Sequence, residues 1–424
     1  MMNNILTQIK NERRSNLFLW VELLLVFVVL WYIVDVLYVT VRIYLMPLGF
    51  DIENTYLLNM ESLTPKSAAF QPDQTVEDDM KNLTEIVDRL THRPDVEAAC
   101  ISQNSIPYND GSNGFAFRLD TVRIDCLKRW ITPDYFRVFR YENIDGSGSE
   151  SLAKALPNAL VASVDVADRY PEAPVHGVAL RGQLAQLRDK GKGEDMPGVP
   201  IAALSKPVRY DDFTPAGTFR GTYLATELTM EGLIWLGNVK YMQVNVRARE
   251  GQEVGFADRL MDDADRLYQL GNVYIQGVIP MSNMRDSYLM DDVNELRTSL
   301  CILFFLLLNI FLGIIGTFWF RTQHRRSEVA LRMALGSTKQ GIFRRLICEG
   351  LLLLALAAVP ALLITFNLGH AEIVEVWRLP FDTVRFITGT FVTFLLMALM
   401  ILLGIWFPAR QAMKIQPAEA LHEE

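Results

Sequence analysis

The sequence predicts an α+β membrane protein: four transmembrane helices, with a large extracytoplasmic α/β domain between the first and second. Three observations carry this prediction. Four apolar runs are each long enough to cross a bilayer, which takes about 20 residues. A long segment of mixed composition, 46–296, separates the first run from the other three. A strongly basic stretch, 321–345, lies between the second and third runs.

The elements follow in chain order. Residues 1–16 read as an N-terminal cytoplasmic amphipathic segment with Lys10, Arg13 and Arg14 near its end. The first span is placed at 17–45, with Leu17–Val39 as its apolar body. It is too long for a signal-peptide core and no small-residue cleavage site follows it, so it reads as an uncleaved anchor. The other spans fall near Leu300–Phe320, Leu346–Leu368 and Phe386–Phe407. Short loops rich in Lys and Arg stay cytoplasmic. The 321–345 stretch carries Arg321, Arg325, Arg326, Arg332, Lys339, Arg344 and Arg345 against the single acid Glu328. Both termini are therefore expected inside, with the large loop and the short 369–385 connection outside.

Glu22 and Asp35 fall within the first span. One reading is a polar contact between spans or a proton relay. The other is an interfacial group, or an acid paired with a cation on another helix. Glu22 and Glu349 are taken as membrane-interface polar residues.

In the large loop, a helical run at Val76–Thr91 precedes a strand at Val96–Ser102, with further strands at Gly114–Leu119 and Val122–Leu127. Near its end come a strand (Tyr241–Arg249), a helix (Val254–Leu270) and a strand (Asn272–Val278). Each end thus resembles a βαβ half, and the halves are expected to pair in one sheet. Between them, about 143–231 reads as an inserted β-rich subdomain with strands at Ala159–Ser163 and Val199–Leu204. Arg188–Asp195 reads as a solvated turn. A helical run at Ser282–Thr298 feeds the second span.

Charge and motifs exclude several functions. The large loop holds about a dozen more acids than Lys and Arg, which argues against nucleic acid. Four Cys are too few for a disulfide scaffold. Cys100 and Cys126 could bridge outside the cell, although spacing says nothing about distance. No GxxxxGK[ST], HExxH, CxxC or GxSxG occurs, and the five His are scattered. The acid pairs Asp78–Asp79, Asp262–Asp263 and Asp291–Asp292 read as solvated faces, because adjacent residues on a helix diverge; weak calcium binding is the alternative. No catalytic, cofactor or metal site is expected, so the chain is not read as an enzyme. A basic cytoplasmic elbow with no ATP site needs an external motor.

Two separated motifs carry a family resemblance. The elbow SEVALRMALGSTKQGIFRRLICEGLLLL is similar to the segment after the second span of MacB/FtsX-type ABC transporter permeases, through Glu328, Val329, Ala330, Leu331, Arg332, Ala334, Leu335, Gly336, Ser337 and Thr338. Glu349 stands where that family has the Glu that opens the third span. The tail PARQAMKIQPAEAL resembles the family's ending through Pro408, Arg410, Pro417, Glu419 and Leu421. More weakly, Ile131–Phe139 and Asn158–Leu180 resemble parts of its MacB-like periplasmic domain. MacB itself carries a fused ATPase at its N-terminus, and this chain does not.

The resemblance implies an FtsX-like domain at 297–424, with a coupling elbow at 321–345 and a cytoplasmic tail at 408–424. It implies the permease subunit of an ABC-type efflux or mechanotransmission complex in the cell inner membrane. A separate P-loop ATPase docks on the elbow, a second permease copy completes a homodimer or heterodimer, and a periplasmic adaptor and outer-membrane channel are further partners. The alternative is a membrane-anchored sensor or scaffold whose outer domain binds a ligand without ATP coupling.

Overall fold

The structure, a computed structural model, describes residues 13–187, 197–324, 331 and 336–412. The elements begin with α1 (Arg13–Tyr44), β1 (Thr55–Ser62), α2 (Val76–Thr91), β2 (Val96–Gln103), β3 (Gly114–Leu119) and β4 (Val122–Ile131). They continue with α3 (Tyr135–Val138), α4 (Gly148–Ala155), β5 (Leu160–Ser163), β6 (Leu184–Leu187), β7 (Val199–Ser205), β8 (Tyr223–Glu227) and α5 (Met230–Leu236). The remainder are β9 (Gln243–Ala248), α6 (Phe256–Asp262), α7 (Ala264–Leu267), β10 (Val273–Pro280), α8 (Met281–Tyr288), α9 (Met290–His324), α10 (Lys339–His370) and α11 (Thr383–Ala412). The chain divides into two units. One is Leu45–Val293; the other joins the residues through Tyr44 to those from Asn294 onward.

In the Leu45–Val293 unit, α2 shows how local sequence sets structure. Thr75 caps it by accepting the Asp78 amide at 3.2 Å, and Asp78 accepts the Thr75 amide at 3.0 Å. Met80, Leu83, Ile86, Val87 and Leu90 recur at helical spacing and are buried. The two βαβ pieces, β1-α2-β2 and β9-α6-β10, interleave in the order β10-β1-β9-β2, each strand antiparallel to its neighbours. Leu58 and Met60 point to the face covered by α2 and α6, while Leu57 points to the opposite core, as the two-residue strand period requires.

The rest of the sheet curls. Strands β4-β3-β6-β7-β5-β8 follow one another, and β8 returns to pair in parallel with β4, closing a six-stranded ring. Phe117, Ile124, Cys126, Leu160, Ala162, Ile201, Leu204 and Leu224 share its core. The ring takes in β3 and β4, so it starts well before residue 143. Their hairpin alternation fixes which face is buried, but not which distant strands they join.

Other expectations shift for physical reasons. The helix expected over 254–270 is two short helices, α6 and α7, that meet at Asp263. Hydrogen bonds from Arg266 and Arg93 hold the Asp263 carboxyl below the usual carboxylate range. These contacts belong to a groove of about 630 Å³ lined by Arg89, His92, Arg93, Asp95, Arg259 and Tyr268, where Arg93 pairs with Asp95 at 2.7 Å and Asp263 at 2.8 Å. The helix expected over 282–298 breaks at Leu289, between α8 and α9. Strands β1, β6 and β8 were not anticipated. The charged stretch Arg188–Asp195 lies outside the described residues.

Cys100 and Cys126 do not bridge. Both are buried and free, in different cores, one beside α3 and the other within the ring. Burial pushes both thiols up. Reductant should leave the melting temperature unchanged, and alkylation of either thiol should require denaturant. A mass two hydrogens lighter in the 100–126 pair under non-reducing conditions would contradict this.

Among the described residues, four helical stretches are long and apolar enough to cross a membrane: Leu17–Tyr44, Met290–Gly313, Gln340–His370 and Thr383–Trp406. Helices α1, α10 and α11 share a core of Leu23, Phe27, Trp31, Leu354, Ala357, Ala361, Met397 and Ile401. On α9, Phe304, Phe305 and Leu312 are exposed.

Candidate functional site

The second unit holds two candidate sites: the described residues just before α10, and a buried charge pair joining α1 to α11. At the elbow, Gly336 adopts φ +94° and a Cβ added there would meet no atom within 4 Å. Space is therefore not what selects glycine; the left-handed backbone is. Two residues later Thr338 caps α10, its hydroxyl accepting the Gly341 amide at 3.1 Å. Leu331, Ser337 and Thr338 are exposed, which leaves them open to contact. Glu328, Val329, Arg332, Ala334 and Leu335 lie outside the described residues. Pro408 and Arg410 fall within α11, while Pro417, Glu419 and Leu421 lie outside the described residues.

Glu349 does not open a helix. It sits ten residues into α10, which starts at Lys339, and is 4% exposed. Glu22 is half-buried on α1, and a Cβ added to Gly313 of α9 would lie 3.3 Å from its Oε1. A side chain at 313 would make that contact tight, and the Glu22 carboxylate would have to give by a few tenths of an ångström.

Asp35 has the partner that one sequence reading allowed. Arg385, near the start of α11, donates from Nε to Asp35 Oδ1 at 2.8 Å and from Nη2 to Oδ2 at 2.6 Å. Both side chains are 1% exposed. This is the two-pronged geometry in which a guanidinium fits a carboxylate. Arg385 Nη1 also donates to the carbonyls of Glu375 at 3.1 Å and Leu379. One guanidinium therefore fastens α1, the base of α11 and the 371–382 connection together.

Aromatic rings seal this pair from its surroundings. Trp31 lies 6.4 Å from Phe381 and 6.1 Å from Phe386, and Phe366 lies 5.5 Å from Phe386. The Arg385 guanidinium stands 5.8 Å from the Phe381 ring. A Cβ on Gly369 would fall 2.1 Å from that ring, so glycine there makes the close approach feasible. From sequence, Arg385 counted only as one charge in a balanced loop. The available signal was an arginine just inside the last apolar run, after a helix-capping Asp382 whose Oδ1 accepts the Arg385 amide at 2.7 Å.

Residues 300–417 match the family model described as FtsX-like permease C-terminal. The matched stretch takes in the apolar part of α9, the elbow, α10 and α11. That stretch is similar to the C-terminal part of FtsX-like permeases, and it takes in two complete helices, α10 and α11, that are long and apolar enough to cross a membrane. No curated protein matches the chain. Among solved structures, the extracellular domain of the noncanonic ABC-type transporter YknZ from Gram-positive bacteria is similar at 10% identity, covering 53% of this chain and 100% of that one with a TM-score of 0.29.

Proposed function

We propose that this chain is the permease subunit of an ABC-type efflux or mechanotransmission complex. A separate P-loop ATPase supplies hydrolysis, and the elbow passes its closure to the spans and to the large domain. The observation that carries this reading is the match of residues 300–417 to the permease model; an exposed turn at Gly336–Thr338, within the stretch whose sequence resembles the family's elbow, supports it. The contact residues proposed are Glu328, Val329, Leu331, Arg332, Ala334, Leu335, Gly336, Ser337 and Thr338, with Pro408, Arg410, Pro417, Glu419 and Leu421 in the tail. Such a subunit works beside a second permease copy in the cytoplasmic membrane, with the large domain outside and both termini inside. A periplasmic adaptor and an outer-membrane channel fit the efflux branch.

A photo-crosslinking residue at Leu331 tests the docking surface in the native host. It should capture a P-loop ATPase; capture of no ATPase, with the probe incorporated and the chain in the membrane, would count against the reading. The orientation has its own test. Cysteines are placed at Val254, 83% exposed in the large domain, and at exposed Ser337, with Cys301 and Cys348 changed to Ser. A membrane-impermeant maleimide applied from outside should label V254C and spare S337C. The reverse pattern would overturn the orientation.

A further inference from the structure

The Leu45–Val293 unit receives the chain at Met46–Phe50 and releases it through α8. Strands β1 and β10 already pair up to Tyr56 opposite Pro280. Beyond that rung β1 and β10 no longer pair with each other; Arg247 of β9 still binds the Glu53 and Asp51 carbonyls at 2.7 and 2.6 Å, and Asn245 of β9 reaches Met281 at 3.6 Å. One loop, 205–214, reaches both the incoming segment and the outgoing helix.

Toward the incoming segment the loop uses Arg209, which is 1% exposed. Its amide donates to the Leu48 carbonyl at 2.8 Å and its Nη1 to the Met46 carbonyl at 2.7 Å. Its other nitrogens bind the loop itself, Nε to the Thr214 carbonyl at 2.9 Å and Nη2 to the Asp212 carbonyl. Gly49, at φ +80°, lies so close that a Cβ would fall 2.3 Å from the Pro207 carbonyl oxygen. The approach is backbone to backbone, and only glycine permits it.

Toward the outgoing helix the loop uses Asp212, which is 3% exposed. Its two oxygens accept from Arg285 of α8, Nη2 at 2.5 Å and Nε at 3.1 Å, and Oδ2 also accepts the Tyr108 hydroxyl at 2.9 Å. Its neighbour Asp211 turns inward instead, taking the amides of Phe213 at 2.8 Å and Thr214 at 2.7 Å. Asp211 thus sets the loop's shape while Asp212 binds across it. A chain of rings runs along the same line. Phe50 lies 5.8 Å from Tyr108, Tyr108 lies 6.1 Å from Tyr288, and Tyr288 lies 6.2 Å from Tyr210.

We propose that loop 205–214 is a clasp that locks the incoming segment to the outgoing helix, with Arg209 and Asp212 as its positioning residues. Burying charged groups is costly, and an apolar loop would seal this end at less expense. Directional bonds instead fix the register of the two ends, so that they move as one piece. The consequence for coupling rests on the permease reading; the clasp itself does not.

Hydrogen exchange of the full chain in lipid nanodiscs tests it, comparing wild type with Arg285→Met and Asp212→Asn. Amides at 282–293 and 106–110 should exchange about tenfold faster or more in both variants, with β1 and β9 unchanged. Wild-type exchange at 282–293 would overturn the clasp. So would loosening that spreads through β1 and β9, because the bonds would then support the whole fold. In a complex with its ATPase, both variants should hydrolyse ATP at the wild-type rate and lose the cellular function. Retained function with a loosened α8 would overturn the positioning role. Failure of the wild-type chain to bind any ATPase would instead count against the permease reading and leave the exchange result standing.

Discussion

Replacing Arg385 by Met should destabilise the α1–α10–α11 bundle by about 3–5 kcal/mol, the cost of leaving one charge of a buried pair without its partner. Asp35 and Arg385 are each 1% exposed and meet through two bonds of 2.6 and 2.8 Å, so neither charge has water to fall back on. The loss goes beyond the pair. Arg385 also holds the carbonyls of Glu375 and Leu379, so the 371–382 connection should loosen as well. A helix spanning a bilayer tolerates a buried charge only when it is partnered, which sharpens the effect. Changing both residues at once, Asp35→Leu with Arg385→Met, should recover most of the loss, because both desolvation costs vanish together. Thermal unfolding in detergent, followed by intrinsic tryptophan fluorescence, measures all three proteins. A single variant that melts with wild type would show that the pair contributes nothing. A double variant as damaged as the single would show that its value lies in orientation rather than in charge.

Changing Gly336 to Val should abolish coupling while the protein remains folded and in the membrane. At φ +94° a β-branched residue meets the steric penalty of the left-handed region, about 1–2 kcal/mol, and the turn before α10 must reshape to avoid it. No neighbouring atom obstructs the new side chain, so damage should stay in the backbone of the turn. Ala at the same place should be milder. Arg332→Ala should act through lost charge in the proposed docking motif. The measurements are membrane abundance, ATP hydrolysis by the complex, and complementation of a strain lacking the chain. Full complementation by G336V at wild-type abundance would count against a docking role for the elbow.

Some of this architecture was legible from sequence because it is local. Helix α2 was readable to the residue, since its cap at Thr75 and its apolar stripe from Met80 to Leu90 all lie within one stretch. The four spans were readable because a bilayer imposes length and apolarity on contiguous residues. What stayed hidden depends on distant partners. Asp35 was visible as an anomaly, but its cation lies 350 positions away and looked like an ordinary loop charge. The interleaving of β9 between β1 and β2, and the closure of β8 onto β4, are choices among strands with similar alternation. Asp212 and Arg285 gave no signal at all, because an acid in a loop and an arginine on a helix are ordinary on their own. The elbow is the reverse case: its motif reads plainly in sequence, while Glu328, Val329, Arg332, Ala334 and Leu335 lie outside the described residues.

The central claim is that an external ATPase drives this chain through its elbow, and it is tested most directly by gentle isolation from its own host. The chain is extracted in mild detergent, captured, and analysed by mass spectrometry together with everything bound to it. Recovery of a soluble P-loop ATPase in about equal amount, lost when Glu328–Thr338 is substituted, is the predicted result. Recovery of the intact chain without any ATPase, even after crosslinking in cells, would contradict the account and favour a sensor or scaffold.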